Sequence, residues 1–378
     1  MAAKSQKYQE AMEILGIDMS RAFDTIRRDR LMQILETFLD DSELRMIRLL
    51  LADTTLEPRL AKGSCAMFNT TIGTPQGDSL SPVLFIVYLE AALRDLRLML
   101  PQRPQTDINL PLDIAYADDV DFVSHSRTFL NQVESIAPTC LRHWFLFVNE
   151  NKTERTSIRR ETDRVAEVWR ATKKLGSLLG DAEDVARRKQ LALLAFRRMW
   201  TLWLRRQHVS EALQLRLYKA FIVPVLTYNM GTWALTQAES ARLDSFHRTQ
   251  LKHLLGIKWP QRISNKALYQ RCQCEPLSIK ITEARWRLFG HVLRMPRNVP
   301  AQMAIDSYFQ PPINVPCWRG RPRTTLPMVL NTDLQNSGYH LQLCNRVDLE
   351  HLRQLAPNRT EWSQLTRRIV EAAQAKLT

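Results

Sequence analysis

The chain has 378 residues, 45% of them hydrophobic and 24% charged, with a formal net charge of +14. This composition is that of a soluble globular protein, and the length allows two or three domains. No run of about eighteen consecutive apolar residues occurs, which argues against a membrane anchor. The N-terminal residues contain no long apolar stretch either, so we expect an intracellular protein without a signal peptide.

The first elements along the chain alternate between strand and helix. The apolar run 13–20 predicts a buried strand that delivers the carboxylate of Asp18 at its end. Apolar residues then recur at helical spacing over 31–38, which predicts an amphipathic helix. Ser42 is expected to cap a second helix over 43–52.

The next part of the chain contains a glycine-rich loop and an acidic hairpin. Residues 65–96 predict a strand, a loop and a long helix, with Ser81 as the N-cap and Pro82 in the first turn. The stretch "LDIAYADDVDFVS" (112–124) predicts a hairpin with two adjacent aspartates at its tip. The remaining predicted elements are a helix near 127–145, a strand over 145–154, a strand pair over 173–180, basic helices over 183–256 and 260–300, an irregular arm from about 308, and a helix over 345–376. The order is typical of an α+β protein rather than of a regular βαβ repeat.

Basic residues are concentrated in the second half of the chain. Residues 186–300 carry 21 Lys/Arg and 5 Asp/Glu, a net charge of +16 that leaves −2 for the rest. A nucleic acid lying along this half would explain the distribution. Basic helix faces that only meet solvent are the other explanation.

The cysteines are scattered over the chain, which fits a reducing compartment better than a disulfide framework. Cys272, Cys274 and His291 suggest a zinc knuckle. The Cys-x-Cys spacing and the missing fourth ligand argue against one.

The adjacent carboxylates of Asp118 and Asp119 need compensation, since two like charges about 4 Å apart repel by roughly 4 kcal/mol at an effective dielectric constant near 20. Together with Asp18 they could hold two Mg²⁺ ions for nucleotidyl transfer. A capped hairpin turn is the alternative, because an Asp-Asp pair alone is weak evidence. Asp40 and Asp41 form such a pair, and we expect it to lie at a solvated turn without a catalytic role.

Five segments in this order resemble the palm motifs of reverse transcriptases: "IDMSRAFDTI", "GTPQGDSLSPVLF", "YADDVDFV", "VNENKTE" and "KLGSLLG". The continuation "LYKAFIVPVLTYNMGTWAL" and "RWRLFGHVLRM" resembles the thumb and C-terminal region of non-LTR (LINE-type) retrotransposon enzymes. A group II intron maturase or a telomerase would share the aspartates but not this C-terminal run. The resemblance covers roughly residues 13–300.

The resemblance implies an α+β right-hand palm, an antiparallel sheet with helices, over 1–182. A helical thumb over 183–258 and a basic, mostly helical nucleic-acid-binding region over 259–378 would follow. Asp18, Asp118 and Asp119 would be the catalytic carboxylates and the ligands of two Mg²⁺ ions, with Mn²⁺ as an alternative metal.

The same resemblance implies a site for the deoxynucleoside triphosphate. Phe23 matches the bulky gate that excludes a 2′-hydroxyl, and the backbone carbonyl of Met19 would approach the metal. Gln76 would touch the nucleotide, while Gly77 would let the backbone come close to it. Lys152 matches the lysine that protonates the leaving pyrophosphate. A core aromatic, an ordinary turn and an exposed lysine are the respective alternatives.

Further positions match contacts to nucleic acid. Leu175 and Gly176 match the primer-grip hairpin, with a plain turn as the alternative. In "ARWRLFGHVLRM", Trp286 could stack on bases or pack in a core. "CWRGRPR" (317–323) resembles an arginine hook for a narrow minor groove, with a basic linker as the alternative. The arginines concerned are Arg285, Arg287, Arg294, Arg319, Arg321 and Arg323.

Only seventeen residues precede Asp18, so we expect the fingers region and the endonuclease domain of the family to be missing. The predicted function is RNA-directed DNA synthesis by a non-LTR retrotransposon enzyme, with an RNA template, a DNA primer and deoxynucleoside triphosphates as partners. The alternative is an inactive remnant that only binds RNA or DNA. Target-primed copying would place the protein in the nucleus, and a cytoplasmic ribonucleoprotein is the other expected location.

Overall fold

The computed structural model describes residues 1–52, 54–56, 68–75, 77–161, 166–204, 209–312 and 314–377. The chain divides into two compact units. The sheet unit is Ala11–Ile158, and the helical unit is Met1–Glu10 together with Arg159–Thr378. None of the described helices is long and apolar enough to span a membrane.

The chain begins with helix α1 (Ala2–Lys7), which belongs to the helical unit. The helices of the sheet unit are α2 (Ala22–Thr25), α3 (Arg28–Leu35), α4 (Asp41–Leu51), α5 (Ser81–Met99) and α6 (Arg127–His143). Its strands are β1 (Met12–Ser20), β2 (Thr54–Leu56), β3 (Phe68–Thr70), β4 (Asp113–Tyr116), β5 (Asp119–Ser124), β6 (Phe147–Val148) and β7 (Glu154–Ile158).

Strand β1 is the centre of an antiparallel sheet with the order β4-β5-β1-β6, and β7 also pairs with β1. Side chains alternate along β1, as a strand requires. Leu15, Ile17 and Met19 are buried in the core of the unit, against apolar residues of α5 and α6. Asp18 therefore projects from the opposite face of the sheet.

Helix α5 packs on this sheet because its apolar residues recur along one side, with Phe85, Tyr88 and Ala92 fully buried. The predicted Pro82 lies in its first turn. Ser81 is the first residue of the helix rather than its cap, since the N-cap is Leu80. The Ser81 hydroxyl instead donates to the Pro75 carbonyl at 2.7 Å, which fixes the preceding loop.

Two further expectations for the sheet unit are wrong. Asp40, not Ser42, caps α4, because Asp40 and Glu43 complete a capping box. Helix α3 ends at Leu35, so Phe38 follows it and is exposed instead of lying on its apolar face.

The C-terminal part of the helical unit contains a small hairpin, β8 (Lys173–Lys174) and β9 (Ser177–Leu178). Its helices are α7 (Asp181–Met199), α8 (Glu211–Leu217), α9 (Val223–Leu226), α10 (Gln237–Leu254), α11 (Asn265–Cys272), α12 (Leu277–Leu293), α13 (Pro300–Tyr308), α14 (Leu326–Asn336), α15 (Arg346–Leu355) and α16 (Arg359–Ala375). Short π-helical turns at Trp200–Leu204 and Tyr218–Ile222 join some of them.

Helix α12 contributes to two hydrophobic cores of the helical unit. Its first turns pack with α7–α11, and its later turns pack with α14–α16. The predicted α+β fold, an antiparallel sheet followed by a helical C-terminal region, is confirmed. The domain bounds at 182 and 258 stay predictions.

Candidate active site

The two aspartates of the hairpin stand beside Asp18. Tyr116 and Asp119 pair across β4 and β5, so Ala117 and Asp118 form a two-residue turn. Asp119 is also the direct partner of Asp18 across β5 and β1. Directly opposite residues of an antiparallel pair share a face, with Cβ atoms about 4.5–5.5 Å apart. The fold therefore brings together carboxylates that lie about a hundred residues apart in the chain.

The turn that carries Asp118 has an uncommon backbone. Ala117 has a φ of 51°, in the left-handed region that non-glycine residues seldom occupy. Two-residue hairpin turns favour a positive φ at this position because it matches the twist of the strands. The turn thus holds Asp118 immediately before Asp119, the first residue of β5.

Lys152 meets Asp18 because the edge of the sheet is interrupted. The first half of β1 pairs with β7 and its end pairs with β6, while the short helical turn Glu150–Lys152 lies between these two strands. The amide of Asn149 donates to the Asp18 carbonyl at 2.8 Å, which anchors the turn. The ammonium of Lys152 then lies 3.2 Å from Asp18 Oδ2.

The donor set suits Mg²⁺, which prefers one or two carboxylates together with phosphate oxygens and water. Among the residues that the structure describes, no group of three or more His, Cys, Asp or Glu is arranged to hold a metal ion. Asp18 and Asp119 stand side by side on this face, and the role of these two carboxylates and of Asp118 as metal ligands stays a prediction. The described residues on this face of the sheet do not form a complete set of protein ligands around a metal ion.

The segment after β1 is locked to the loop before α5. Gly73 has a φ of 73°, and a Cβ there would lie 2.9 Å from the Asp24 carbonyl oxygen, so the two backbones approach closely. The amide of Thr74 donates to the Phe23 carbonyl at 3.0 Å. The ring of Phe23 stacks on Phe85 with centroids 4.3 Å apart. Phe23 is thus partly buried beside the core, and its proposed part as a gate stays a prediction.

Three further residues, Gln76, Gly77 and Met19, were predicted to lie at the nucleotide site. Gln76 lies outside the described residues. Gly77 has a φ of 93°, and a Cβ there would meet nothing within 4 Å, so the loop has open space beside it. The side chain of Met19 is buried in the core, and the approach of its carbonyl to a metal stays a prediction.

The reverse transcriptase (RNA-dependent DNA polymerase) family matches residues 2–191, which is just over half of the chain. The chain belongs to the reverse transcriptase family. Its members are RNA-dependent DNA polymerases, as the family description states. No curated protein sequence matches the chain.

Solved structures similar to this reverse transcriptase include two yeast telomerases. Telomerase from Candida albicans in complex with a fragment of telomeric RNA is 14% identical, with a TM-score of 0.36, over 74% of this chain and 47% of that chain. Apo telomerase from Candida tropicalis is 12% identical, with a TM-score of 0.38, over 73% and 47%. The chain spans about half the length of these structures.

Within the helical unit, the predicted primer-grip residues form the tip of a hairpin. Leu175 and Gly176 have φ angles of 47° and 82°, as a two-residue turn between β8 and β9 requires. The Tyr228 hydroxyl donates to the Leu175 carbonyl at 3.1 Å, and Arg188 donates to the Gly176 carbonyl at 2.5 Å. The Arg188 guanidinium also stacks on the Tyr228 ring. The tip is therefore held from below while Leu175 stays exposed.

Trp286 and Arg285 do not occupy the positions that nucleic-acid contacts require. Trp286 is fully buried, and its indole donates to Asp333 at 3.0 Å, so no base could stack on it. Arg285 is 4% exposed and forms an ion pair with Asp333 at 2.9 Å. The core alternative, left open by the sequence, describes Trp286, and Arg285 is buried beside it.

The arginines of the predicted hook also differ from one another. Arg323 forms an ion pair with the buried carboxylate of Glu167 and a hydrogen bond to Gln6 at 3.0 Å. Burial raises the pKa of Glu167, but hydrogen bonds from Arg170 and Arg323 outweigh this effect and hold the pKa below its usual value. Arg323 thus holds Gln6 and Glu167 together within the helical unit, and its contact to nucleic acid stays a prediction.

The other predicted nucleic-acid contacts are accessible. Arg319 and Arg321 are exposed on either side of Gly320, and Arg287 is exposed on α12. Arg294 is half-buried and donates to the Ala356 carbonyl at 3.2 Å. Their contacts to nucleic acid stay predictions.

The sequence analysis missed the roles of two further residues of the sheet unit. Arg28 donates to the carbonyls of Leu51, Thr70 and Gly73 at 2.6 to 2.8 Å and so ties α3 to the loop before α5. No sequence pattern distinguishes this arginine from the basic residues around it. Tyr116 is exposed and pairs with Asp119 across β4 and β5, and β4 has no buried residue with which it could alternate.

Proposed function

We propose that the chain is the RNA-directed DNA polymerase of a non-LTR retrotransposon, which extends a DNA 3′-hydroxyl on an RNA template. The observation that carries the proposal is the pairing of Asp18 with Asp119 in one row of the sheet, with Asp118 in the adjoining turn. Family membership supports the reaction class. Deoxynucleoside triphosphates are the proposed substrates.

The chemistry follows from the charges on this face of the sheet. Asp18, Asp118 and Asp119 would hold two Mg²⁺ ions, which when bound activate the 3′-hydroxyl and stabilise the pyrophosphate. Lys152 already lies at 3.2 Å from Asp18, so its ammonium is within reach of phosphates bound at these carboxylates. It would donate a proton to the leaving pyrophosphate. Phe23, whose ring is fixed by stacking on Phe85, would exclude a 2′-hydroxyl.

The assignment to non-LTR elements is supported by the two C-terminal sequence segments. "LYKAFIVPVLTYNMGTWAL" forms the π-helical turn at Tyr218–Ile222, α9 and the segment that follows. "RWRLFGHVLRM" lies mainly on α12. The proposed partners are a template RNA and a primer DNA. The proposed locations are the nucleus, where target-primed copying would take place, and a cytoplasmic ribonucleoprotein.

Primer extension on a poly(rA)/oligo(dT) duplex with Mg²⁺ tests the proposal. We expect the wild type to extend the primer and Asp118→Ala to abolish extension, because the variant removes a metal ligand but no core contact. Asp41→Ala is the matched control, since it also removes one member of an Asp-Asp pair. Asp41 is exposed in the first turn of α4, and its removal should leave extension unchanged.

A binding protein without polymerase activity is the second candidate. It is favoured by one observation, the net charge of +16 over residues 186–300, which suits binding to a nucleic acid whether or not the carboxylates act. If neither the wild type nor Asp118→Ala extends the primer, while both bind RNA in a salt-sensitive way, this candidate replaces the first. If Asp118→Ala loses both RNA binding and primer extension, the carboxylates and the basic helices do not have the separate roles in catalysis and in RNA binding that are proposed here.

A further inference from the structure

A groove lies between α12 and α16 of the helical unit, and half of the side chains that line it are basic. The α12 side contributes Arg287, His291 and Arg294, at i, i+4 and i+7. The α16 side contributes Arg359 and Arg367, at i and i+8. The groove has a volume of about 570 Å³, and a single acidic residue, Glu283, lines it.

Close packing of the two helices forms the floor of this groove. A Cβ at Gly290 would lie 2.2 Å from Trp362 Nε1, so only glycine permits the approach. The Trp362 indole donates to the Trp286 carbonyl at 3.0 Å, which joins α16 to α12. The arginines of the two helices are thereby fixed on opposite sides of one narrow channel.

The basic side chains are spread along the groove rather than gathered at one point. A helix rises 1.5 Å per residue, so Arg359 and Arg367 are separated by about 12 Å along α16. This spacing suits successive phosphates of one strand better than a single phosphate group. Ser363, which also lines the groove and is exposed, adds a neutral hydroxyl between the charges.

The guanidinium groups have donors to offer. Arg359 and Arg367 are exposed. Arg287 forms an ion pair with Glu283 at 2.6 Å, but its side chain is 73% exposed, and such a surface pair is weak. Arg294 uses one N–H for the Ala356 carbonyl, and a guanidinium has five.

We propose that this groove binds the sugar-phosphate backbone of a single nucleic-acid strand. Packed helices lie only about 8–10 Å apart, which leaves a channel too narrow for a duplex. The lining offers charge and hydroxyl groups and no exposed aromatic face, because Trp362 is 4% exposed. The groove therefore reads backbone charge and not base identity, and RNA and DNA strands of equal length bind alike.

Fluorescence anisotropy with the full chain tests the proposal, using labelled oligo(rU), oligo(dT) and a duplex of the same length. Arg359→Gln/Arg367→Gln should weaken binding of both single strands about tenfold at low salt and lower the salt slope by about 1.4, or 0.7 for each lost contact. Glu283→Gln should tighten binding about twofold by releasing Arg287. Circular dichroism and thermal melting verify that the variants fold.

Arg242→Gln/Arg346→Gln is the matched control, because it removes two exposed arginines of α10 and α15 that do not line the groove. The proposal is overturned if this control weakens binding as much as the groove variant does. It is also overturned if the duplex binds more tightly than the single strands, or if RNA and DNA differ more than tenfold. Equal competition by polyglutamate would assign the groove to an acidic polypeptide instead. None of these readouts depends on polymerase activity.

Discussion

Replacing Gly290 by alanine should destabilise the helical unit although alanine is the better helix former. Gly290 lies inside α12, and glycine there costs roughly 1 kcal/mol relative to alanine. A Cβ at this position would lie 2.2 Å from Trp362 Nε1 and 2.4 Å from Cε2. The indole cannot move away easily, because it is 4% exposed and bonded to the Trp286 carbonyl.

The expected magnitude follows from three terms. Overpacking a core costs about 1–3 kcal/mol, and a lost or distorted hydrogen bond costs about 0.5–1.5 kcal/mol. The gain in helix propensity offsets about 1 kcal/mol of this cost. We therefore expect Gly290→Ala to lower the free energy of unfolding by about 1–3 kcal/mol.

Urea unfolding of a double-mutant cycle measures the effect. Trp362→Phe removes the Nε1 atom that lies closest to the added Cβ, so Gly290→Ala should cost at least about 1 kcal/mol less in that background. A neutral or stabilising Gly290→Ala would refute the close-packing argument. An equal cost in both backgrounds would show that the clash is not with the indole.

Three further predictions concern stability. Ala117→Val should lower the free energy of unfolding by about 1 kcal/mol or more, because a positive φ penalises β-branched side chains. Ala117→Gly should raise the free energy of unfolding by about 0.5 kcal/mol, because glycine adopts a positive φ without strain. Equal melting temperatures of the two variants would contradict the turn geometry. Arg28→Met should lower the free energy of unfolding, measured in urea, by about 2–4 kcal/mol, because it leaves buried carbonyls without donors. The control Arg27→Met removes an exposed ion pair with Asp29 and should lower it by less than about 1 kcal/mol. Burial lowers the pKa of His247 to about 3, so the unfolded state binds more protons than the folded state between about pH 6.5 and pH 3. This histidine should therefore remove about 2 kcal/mol of stability between pH 7 and pH 5, and His247→Phe should flatten that part of the profile; an unchanged profile would contradict it.

Local patterns predicted the elements that position the carboxylates. The apolar run that ends at Asp18 forms β1, and the acidic stretch forms a two-residue turn between β4 and β5. Both depend on alternation and turn chemistry, which are properties of neighbouring residues. The pairing of Asp18 with Asp119 required the family resemblance, since no local pattern reports which strands become neighbours.

A local capping box and packing between residues far apart in the chain explain what was missed. Asp40 caps α4 because Glu43 completes a capping box, while Ser42 only donates to Asp40 at 2.6 Å. Trp286 is core because α14 and α16 cover it, and its basic neighbours in the sequence suggested the opposite. The sequence does not reveal the close approach at Gly290, because a glycine inside a helix does not show which side chain packs against it.

Primer extension as a function of metal and of Asp18 tests the central claim most directly. We expect the wild type and Asp41→Ala to extend oligo(dT) on poly(rA) with Mg²⁺ and to stop when EDTA removes the metal. Asp18→Ala should not extend under any condition, because Asp18 is the carboxylate that faces both Asp119 and Lys152. Extension by Asp18→Ala at the wild-type rate, or extension in EDTA, would contradict the assignment of this face of the sheet as the polymerase centre.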